Sequence, residues 1–369
     1  MALTQNELRD YLALWSVSGI GSITARKLIS YVGNVSDILN SNSKEILNIP
    51  GVGNKLIKTI KSGEHYKQAD KEIEFIEKYK IKVISITDDE YPYRLKQCED
   101  APLLLFYKGK PLDNNKKYIS IVGTRNATEY GKTFCDKFIN ELKEKGHDVV
   151  IISGLAYGID IVAHKLALKY SIPTYGILAH GLNTIYPSQH RNVATDMLEQ
   201  GGLITEFMHT VFPDKNNFVR RNRIIAGLSD ATIIVESNIK GGSLITADLA
   251  NSYNRDVFAV PGRIGDKYSL GTNKLIKSNR AVLIESVSDL EYIMGWEPTN
   301  KEPKQTALFY NFTEEEQKII NLLNNKEELD IDSICRMSEL KMSKVSSILL
   351  NLEFKGVVKC LPGKVFCKV

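Results

Sequence analysis

The sequence predicts an α/β protein: a mostly parallel sheet covered by helices, with a helical module before it and a small mixed domain after it. Three observations predict this. Between residues 81 and 296, short β-branched runs alternate with helical stretches. Residues 1–80 carry helical periodicity and no strand-like run. Residues 312–369 read as three helices followed by two strands. At 369 residues the chain is too long for one ordinary domain. A polar, proline-containing stretch at 297–311, "EPTNKEPKQTALFYN", is read as the linker.

In the helical module, "NELRDYLALWSV" has apolar residues at helical spacing. Two related stretches follow, "VSGIGSITARKLISYVG" and "IPGVGNKLIKTIKSG". Each is Gly-hydrophobic-Gly followed by an amphipathic helix, as in a pair of helix-hairpin-helix motifs. Such glycines allow a tight turn and leave N–H groups free at the next helix start, where a phosphate can bind. A turn that only packs, or that docks a protein, explains the same pattern, and the region's charge is nearly balanced.

Nine runs in the central region read as strands: "KVISI", "LLLFYKG", "YISIVGT", "DVVIISGLA", "PTYGILA", "GLITEF", "ATIIVE", "DVFAVPG" and "AVLIES". Most are continuously apolar rather than alternating, which fits burial on both faces. In the last region, "TEEEQKIINLLNN" opens with a capping Thr and acids in the first turn. "DIDSICRMSEL" and "SKVSSILLNLEFKG" are two more helices, and "VVKCLPGKVFCKV" is a hairpin about a Pro-Gly turn. Together they predict a winged helix-turn-helix. Nine Lys/Arg balance nine Asp/Glu from Phe312 to Val369, so attraction to DNA phosphates is slight there and protein docking is as good a role.

Composition excludes several classes. With 43% hydrophobic and 25% charged residues the chain is globular. No segment approaches the roughly 20 apolar residues that span a bilayer. The start, "MALTQNELRDYLALW", lacks the pattern of a secretory signal, so a cytoplasmic protein is expected. Cys98, Cys135, Cys335, Cys360 and Cys367 are scattered without CxxC spacing, against a disulfide framework or a zinc site. Cys360 and Cys367 flank the hairpin turn, where two reduced strand residues are expected. A net charge of +4 permits nucleic-acid binding without demanding it, so charge must act locally.

In a doubly wound sheet, ligands sit beyond the carboxyl ends of the strands. After "SIVGTRNATEYGKT" stand Gly123 and Arg125. Gly131-Lys132-Thr133 is not a P-loop, because seven residues rather than four separate Gly123 from Gly131. Lys132 reads as a solvated helix residue. In "IISGLAYGIDIVAHKLAL", Ser153 and Gly154 follow a strand, and Gly158 lets the backbone come close before a helix begins. Asp160 and His164 share a helix face. They are either an acid–base pair or, the favoured reading, a helix cap and a loop tether. "NNFVRRNRIIAGLSD" places Arg220, Arg221, Asn222 and Arg223 directly before an apolar run. "SNIKGGSLITADLA" sets Gly241, Gly242 and Ser243 before a helix, with Thr246 one turn in. On one sheet edge these make an anion-binding groove the default expectation. No CxxC, HExxH, GxSxG or dinucleotide fingerprint is present, and nothing indicates a metal, a cofactor or a covalent nucleophile.

The motifs "SIVGTR" (120–125), "SGLAYGIDIVAH" (153–164), "GLNTIYPSQHR" (181–191), "LITEF" (203–207), "FVRRNRIIAGLS" (218–229), "GGSLITADLA" (241–250), "VFAVPG" (257–262) and "GTNKLI" (271–276) resemble the DNA-processing protein A (DprA/Smf) family. The match runs in order through some 150 residues, and the flanking modules fit the same family. The resemblance implies an extended Rossmann-like core that forms a homodimer and binds single-stranded DNA. It implies a protein that protects incoming strands in natural transformation and loads RecA recombinase onto them, including strands coated with single-strand-binding protein. It implies no catalysis. Carried onto this chain, the binding residues are Arg125, Ser153, Gly154, Arg220, Arg221, Asn222, Arg223, Gly241, Gly242 and Ser243, with Lys274 weaker; the strand-end reading adds Gly123, Gly158 and Thr246 to the expected site. Thr124 stands where the family often has serine, and a small hydroxyl remains.

Single-strand binding also needs faces on which bases stack. Phe218 is the candidate, and Tyr186 is read as bracing its loop. Of the three arginines, Arg220 or Arg223 is free to pair internally with Asp230, Glu206 or Glu236. The competing class is an enzyme, since the core also resembles the lysine-decarboxylase-like nucleotide phosphoribohydrolases. Their Pro-Gly-Gly-x-Gly-Thr-x-x-Glu loop is replaced here by "KGGSLITAD", without the catalytic glutamate.

Overall fold

Each of the nine apolar runs forms a strand, and all nine join one sheet. They are β1 (Lys82–Ser85), β2 (Leu104–Gly109), β3 (Lys117–Val122), β4 (Val149–Ser153), β5 (Thr174–Ile177), β6 (Gly202–Thr205), β7 (Ala231–Ile234), β8 (Asp256–Ala259) and β9 (Val282–Leu283). The computed structural model describes residues 3–40, 46, 49–298, 312–325, 328–355, 357–361 and 365–368. The expected linker at 297–311 lies almost wholly outside the described residues, as does the Pro-Gly turn of the last hairpin.

The strand order is β1-β2-β6-β5-β4-β3-β7-β8-β9. From β6 through β9 every pairing is parallel, while β1 and β2 are antiparallel additions at one edge. Strands β3, β4, β5, β6 and β7 are almost entirely buried, as their uninterrupted apolar composition requires. From β3 the chain winds outward through β4, β5 and β6, then returns to place β7 on the other side of β3. The carboxyl ends of β3 and β7 therefore flank the switch point, where such sheets open a crevice.

Helix Gln5–Ser16 starts with a Thr4–Glu7 capping box. In both Gly-hydrophobic-Gly stretches the first glycine, Gly19 or Gly51, takes a positive φ. Helices Ser22–Val32 and Asn54–Lys61 then start without side-chain caps. The sequence sets residues 1–80 apart as a domain, but their apolar face is continuous with the sheet's. Leu12, Leu28 and Ile38 belong to one buried cluster with Leu95, Leu104, Ile204 and Ile225. Polar bonds pin the same junction. Trp15 Nε1 donates to the Glu206 carbonyl at 2.9 Å, and the buried Glu72 carboxylate accepts the His209 backbone N–H and contacts its Nδ1 at 2.5 Å.

The chain divides into two compact units, Met1–Lys301 and Glu302–Val369. The second is a winged helix. Helices Glu314–Asn325, Ile331–Ser338 and Met342–Phe354 accompany a sheet of β10 (Leu329–Asp330), β11 (Val358–Leu361) and β12 (Val365–Lys368) in the order β10-β12-β11. Thr313 and Glu316 cap the first helix reciprocally, as the Thr-plus-acids start predicts. Ile319, Leu323, Ile334, Val345, Leu349 and Phe366 form its core. Cys360 lies opposite Phe366 and Cys367 opposite Lys359, so the two thiols are offset and both are free. No helix among the described residues is long and apolar enough to cross a membrane.

Candidate nucleic-acid interface

A groove of about 730 Å³ opens at the switch point. Its walls come from the turn after β3 (Gly123, Thr124, Arg125, Asn126), the turn after β7 (Ser237, Asn238), helix Lys215–Leu228 and the start of helix Gly242–Ser252. The backbone joins the two strand ends, because Thr124 N–H donates to the Glu236 carbonyl at 2.7 Å. Of the sequence-predicted residues, Gly123, Arg125, Phe218, Arg221, Asn222, Gly241, Gly242, Ser243 and Thr246 line this groove. Ser153, Gly154, Gly158, Arg220, Arg223 and Lys274 do not.

The arginines separate by environment. Arg125 is exposed, its guanidinium 5.5 Å from the Phe218 ring centre. Arg221 is 3% exposed and donates to the carbonyls of Gly154, at 2.6 Å, and Ile177. It thereby ties the ends of β4 and β5 to the helix. Burial holds its guanidinium down to about 10, against the pull of Asp160 and with Arg125 adding to the depression. It stays charged at neutral pH. Arg220 and Arg223 turn away from the groove to Glu206, at 3.1 Å and 2.5 Å. Arg223 also reaches the Asp100 carbonyl and Ser22 Oγ. The expected internal pairing thus involves both arginines and selects Glu206. Asp230 pairs with Arg94, and Glu236 accepts from Thr128.

The small residues act through what they allow. Gly158 has φ +79°, and a Cβ there would lie 2.1 Å from the Thr124 carbonyl. It lets the turn that carries Arg125 sit against the next helix start. A Cβ on Gly154 would meet the Arg221 guanidinium at 2.5 Å and the Asp160 carboxylate at 2.6 Å. Ser153 is fully buried and donates to the Ile121 carbonyl at 2.7 Å, so it locks β4 to β3 beneath the groove. Ser243 Oγ donates to Ser237 Oγ at 2.9 Å and fixes the Gly-Gly turn. Helix Gly242–Ser252 has no side-chain cap, and its first residues, Gly242 and Ser243, line the groove.

Asp160 and His164 are occupied structurally. Asp160 accepts the Gly154 N–H at 3.1 Å, and burial raises its carboxyl while Arg221 opposes the rise. His164 is fully buried with Nδ1 2.7 Å from Thr174 Oγ1. The Thr174 hydroxyl donates onward to the Ile151 carbonyl, so the imidazole N–H is the donor between them. Lys132 pairs with Glu129 at 2.7 Å on its own helix, as a solvated residue does. Among the described residues no group of His, Cys, Asp and Glu is arranged to hold a metal ion.

The groove also holds residues that sequence reasoning missed. Lys215 is exposed at the first turn of its helix, whose cap Asp214 accepts the Asn216 N–H at 2.9 Å. An Asp before a helical run is a legible start signal, and the lysine after it falls on the groove. Asn126 and Asn238 add amide groups. Tyr186, read as a brace, is 48% exposed on the groove, with its ring centre 5.7 Å from that of Phe218. Among the described residues, Arg125 and Lys215 engage no carboxylate. The site therefore combines cations that meet no carboxylate, an uncapped helix start and two adjacent rings.

Comparison with known proteins identifies the family. A family model described as DNA recombination-mediator protein A matches residues 82–294. A DprA winged helix domain matches 298–364, and a SAM-like helix-hairpin-helix tandem matches 11–63. Protein Smf of Escherichia coli (strain K12) is 36% identical over 293 residues, 76% of each chain. The X-ray structure of DNA processing protein A from Streptococcus pneumoniae gives a TM-score of 0.66 at 33% identity, covering 79% of this chain and 98% of that one. A structure of DNA processing protein A from Helicobacter pylori, described for its single-stranded DNA binding mode, gives 0.51 at 29% identity, covering 58% and 95%. With a matching core, both flanking modules and a relative similar over three quarters of its length, this chain belongs to the DNA recombination-mediator protein A (DprA/Smf) family of DNA-processing proteins.

Proposed function

We propose that the protein binds single-stranded DNA along the groove at the β3/β7 switch point. The observation that carries this reading is the pairing of cations that meet no carboxylate with aromatic rings on the groove wall. Arg125 and Lys215 offer charge to phosphates, and Phe218 and Tyr186 offer faces to bases. Phosphate neutralisation plus stacking is what a single strand requires and a duplex cannot use, because its bases already stack on each other. The single-strand binding described for the Helicobacter pylori relative supports the same reading.

From the family we further infer that the bound strand is protected and passed to RecA recombinase, also from strands coated with single-strand-binding protein, during natural transformation in the cytoplasm. The protein acts as a homodimer and as a binding protein rather than an enzyme. In support, the groove's carboxylates serve the fold: Asp160 holds the Gly154 N–H and Asp214 caps its helix.

The test is a gel shift of single- and double-stranded oligonucleotides across a salt series. Single strands are expected to bind preferentially, with a log–log salt slope of about −0.7 per phosphate contacted. Arg125→Ala should weaken all sequences alike by roughly 10-fold or more, since it removes a charge-assisted contact to a phosphate. Equal affinity for both forms with no salt dependence would sink the proposal. Release of free base from nucleoside monophosphates would point instead to the hydrolase class.

A further inference from the structure

Beyond the Gly241–Gly242 turn lies a second, smaller hollow of about 260 Å³. Its walls include Ile239, Lys240, Asp248, Lys274 and Arg280. Gly241 and Ile245 line both this hollow and the main groove, so the two meet at one lip. The lip is bare: a Cβ on Gly242 would stand in open space, and nothing caps the helix that starts there. Lys240 and Lys274 are exposed, and among the described residues neither ammonium group has an ion-pair or hydrogen-bond partner. Arg280 is paired with Asp248, which leaves those two lysines as the uncompensated charge. Ile239 and Ile245 are 49% and 38% exposed beside them.

We propose that this hollow is a second phosphate subsite, through which a single DNA strand leaves the groove by crossing the Gly241–Gly242 lip. The inference rests on the strand-binding reading of the groove. Two free ammonium groups draw the phosphates, and the isoleucines give the sugar and base an apolar surface. A strand short enough to fill only the groove does not reach Lys240 and Lys274, whereas a longer one does. The bare lip matters because phosphodiester backbone must pass over it.

The experiment measures affinity for oligothymidylates of increasing length, at several salt concentrations, for the full-length protein and three variants. Lys240→Gln/Lys274→Gln is expected to bind the shortest strands as the parent does. It should bind long strands roughly 10-fold more weakly. Its salt slope on long strands should be shallower by about 1.4, two phosphate contacts at about 0.7 each. Gly242→Val, whose Cβ meets no protein atom, should weaken long strands most, because its side chain stands on the lip that a long strand must cross. Parental affinity and slope at every length in the lysine variant would overturn the subsite. So would an equal loss at all lengths, which would assign the lysines to the groove's general field. Arg125→Ala separates the two readings: it should weaken every length, and an unchanged Arg125→Ala variant would remove the groove itself.

Discussion

Arg220, Arg221 and Arg223 are near neighbours on one helix yet serve different ends. Residues three apart share a helix face, so Arg220 and Arg223 reach one carboxylate, whereas Arg221, one and two positions from them, points elsewhere. Arg221 goes beneath the groove to two strand-end carbonyls, and the other two go to Glu206. The arginine that meets solvent at the groove is Arg125, which comes from another motif. His164 gives a residue-scale prediction. Burial holds its imidazole down to about 3, against an ordinary 6.5. A folded-state value below the unfolded one means that its contribution is complete above about pH 6.5 and is lost as pH falls towards 3. The loss is up to about 1.4 kcal/mol per pH unit. Urea unfolding at several pH values should show this slope. His164→Gln, which cannot titrate, should be less stable at neutral pH but flatter below pH 6.5. Burial also lowers His65 and His180, so some slope will persist in the variant. An identical slope in parent and variant would remove His164 from the account.

At the scale of elements, helix Lys215–Leu228 is a two-sided brace. One side forms the groove through Phe218, Arg221 and Asn222, and the other holds the helical module through Arg220 and Arg223. Arg220 lies over the Trp15 and Phe207 rings at 5.8 Å and 5.3 Å, and Arg223 reaches Ser22. Glu206 is the centre of this joint. It is fully buried, which raises its carboxyl, while the two arginines oppose that rise. Removing one partner of a buried pair leaves charge uncompensated, at a cost of about 3–5 kcal/mol. Glu206→Gln should therefore lower stability by about that amount. Faster amide exchange should appear in residues 5–79, and the Trp15 emission should shift. Loss of stability with unchanged exchange in that region would place the effect elsewhere than at the joint.

For the whole molecule, the helical module and the sheet share one buried cluster, although the two are distinct along the chain. Tyr91, Leu95 and Leu104 are buried in the cluster that also holds Leu12, Leu28 and Ile38. A chain starting at residue 81 should expose this surface and aggregate. A chain of residues 1–298 should fold and melt like the corresponding part of the full protein, because residues 302–369 form a separate unit with its own core. Scanning calorimetry with size-exclusion chromatography checks both, and a monodisperse, cooperatively melting 81–369 fragment would refute the shared-core argument.

Local chemistry made much of this legible beforehand. Nine apolar runs became nine strands, and the continuous apolar composition of the central ones records their burial on both faces. The glycines before helices, the Thr313 cap and the strand-end position of Arg125 were readable for the same reason: turns and caps depend on residues a few positions apart. The partners of the three arginines, the exposure of Tyr186 and the place of Lys215 in the groove were not readable. They depend on how the return crossover sets β7 beside β3 and folds one helix over the gap. Glu206 meets Arg220 and Arg223 across separate elements, and Lys274 falls outside the groove because it lies across the Gly241–Gly242 lip. By itself, the sequence determined which segments are strands, helices and turns, and which strand ends carry chemistry. Only the tertiary structure decided which charges are neutralised within the protein and which remain for a ligand, because that depends on side chains meeting from distant parts of the chain.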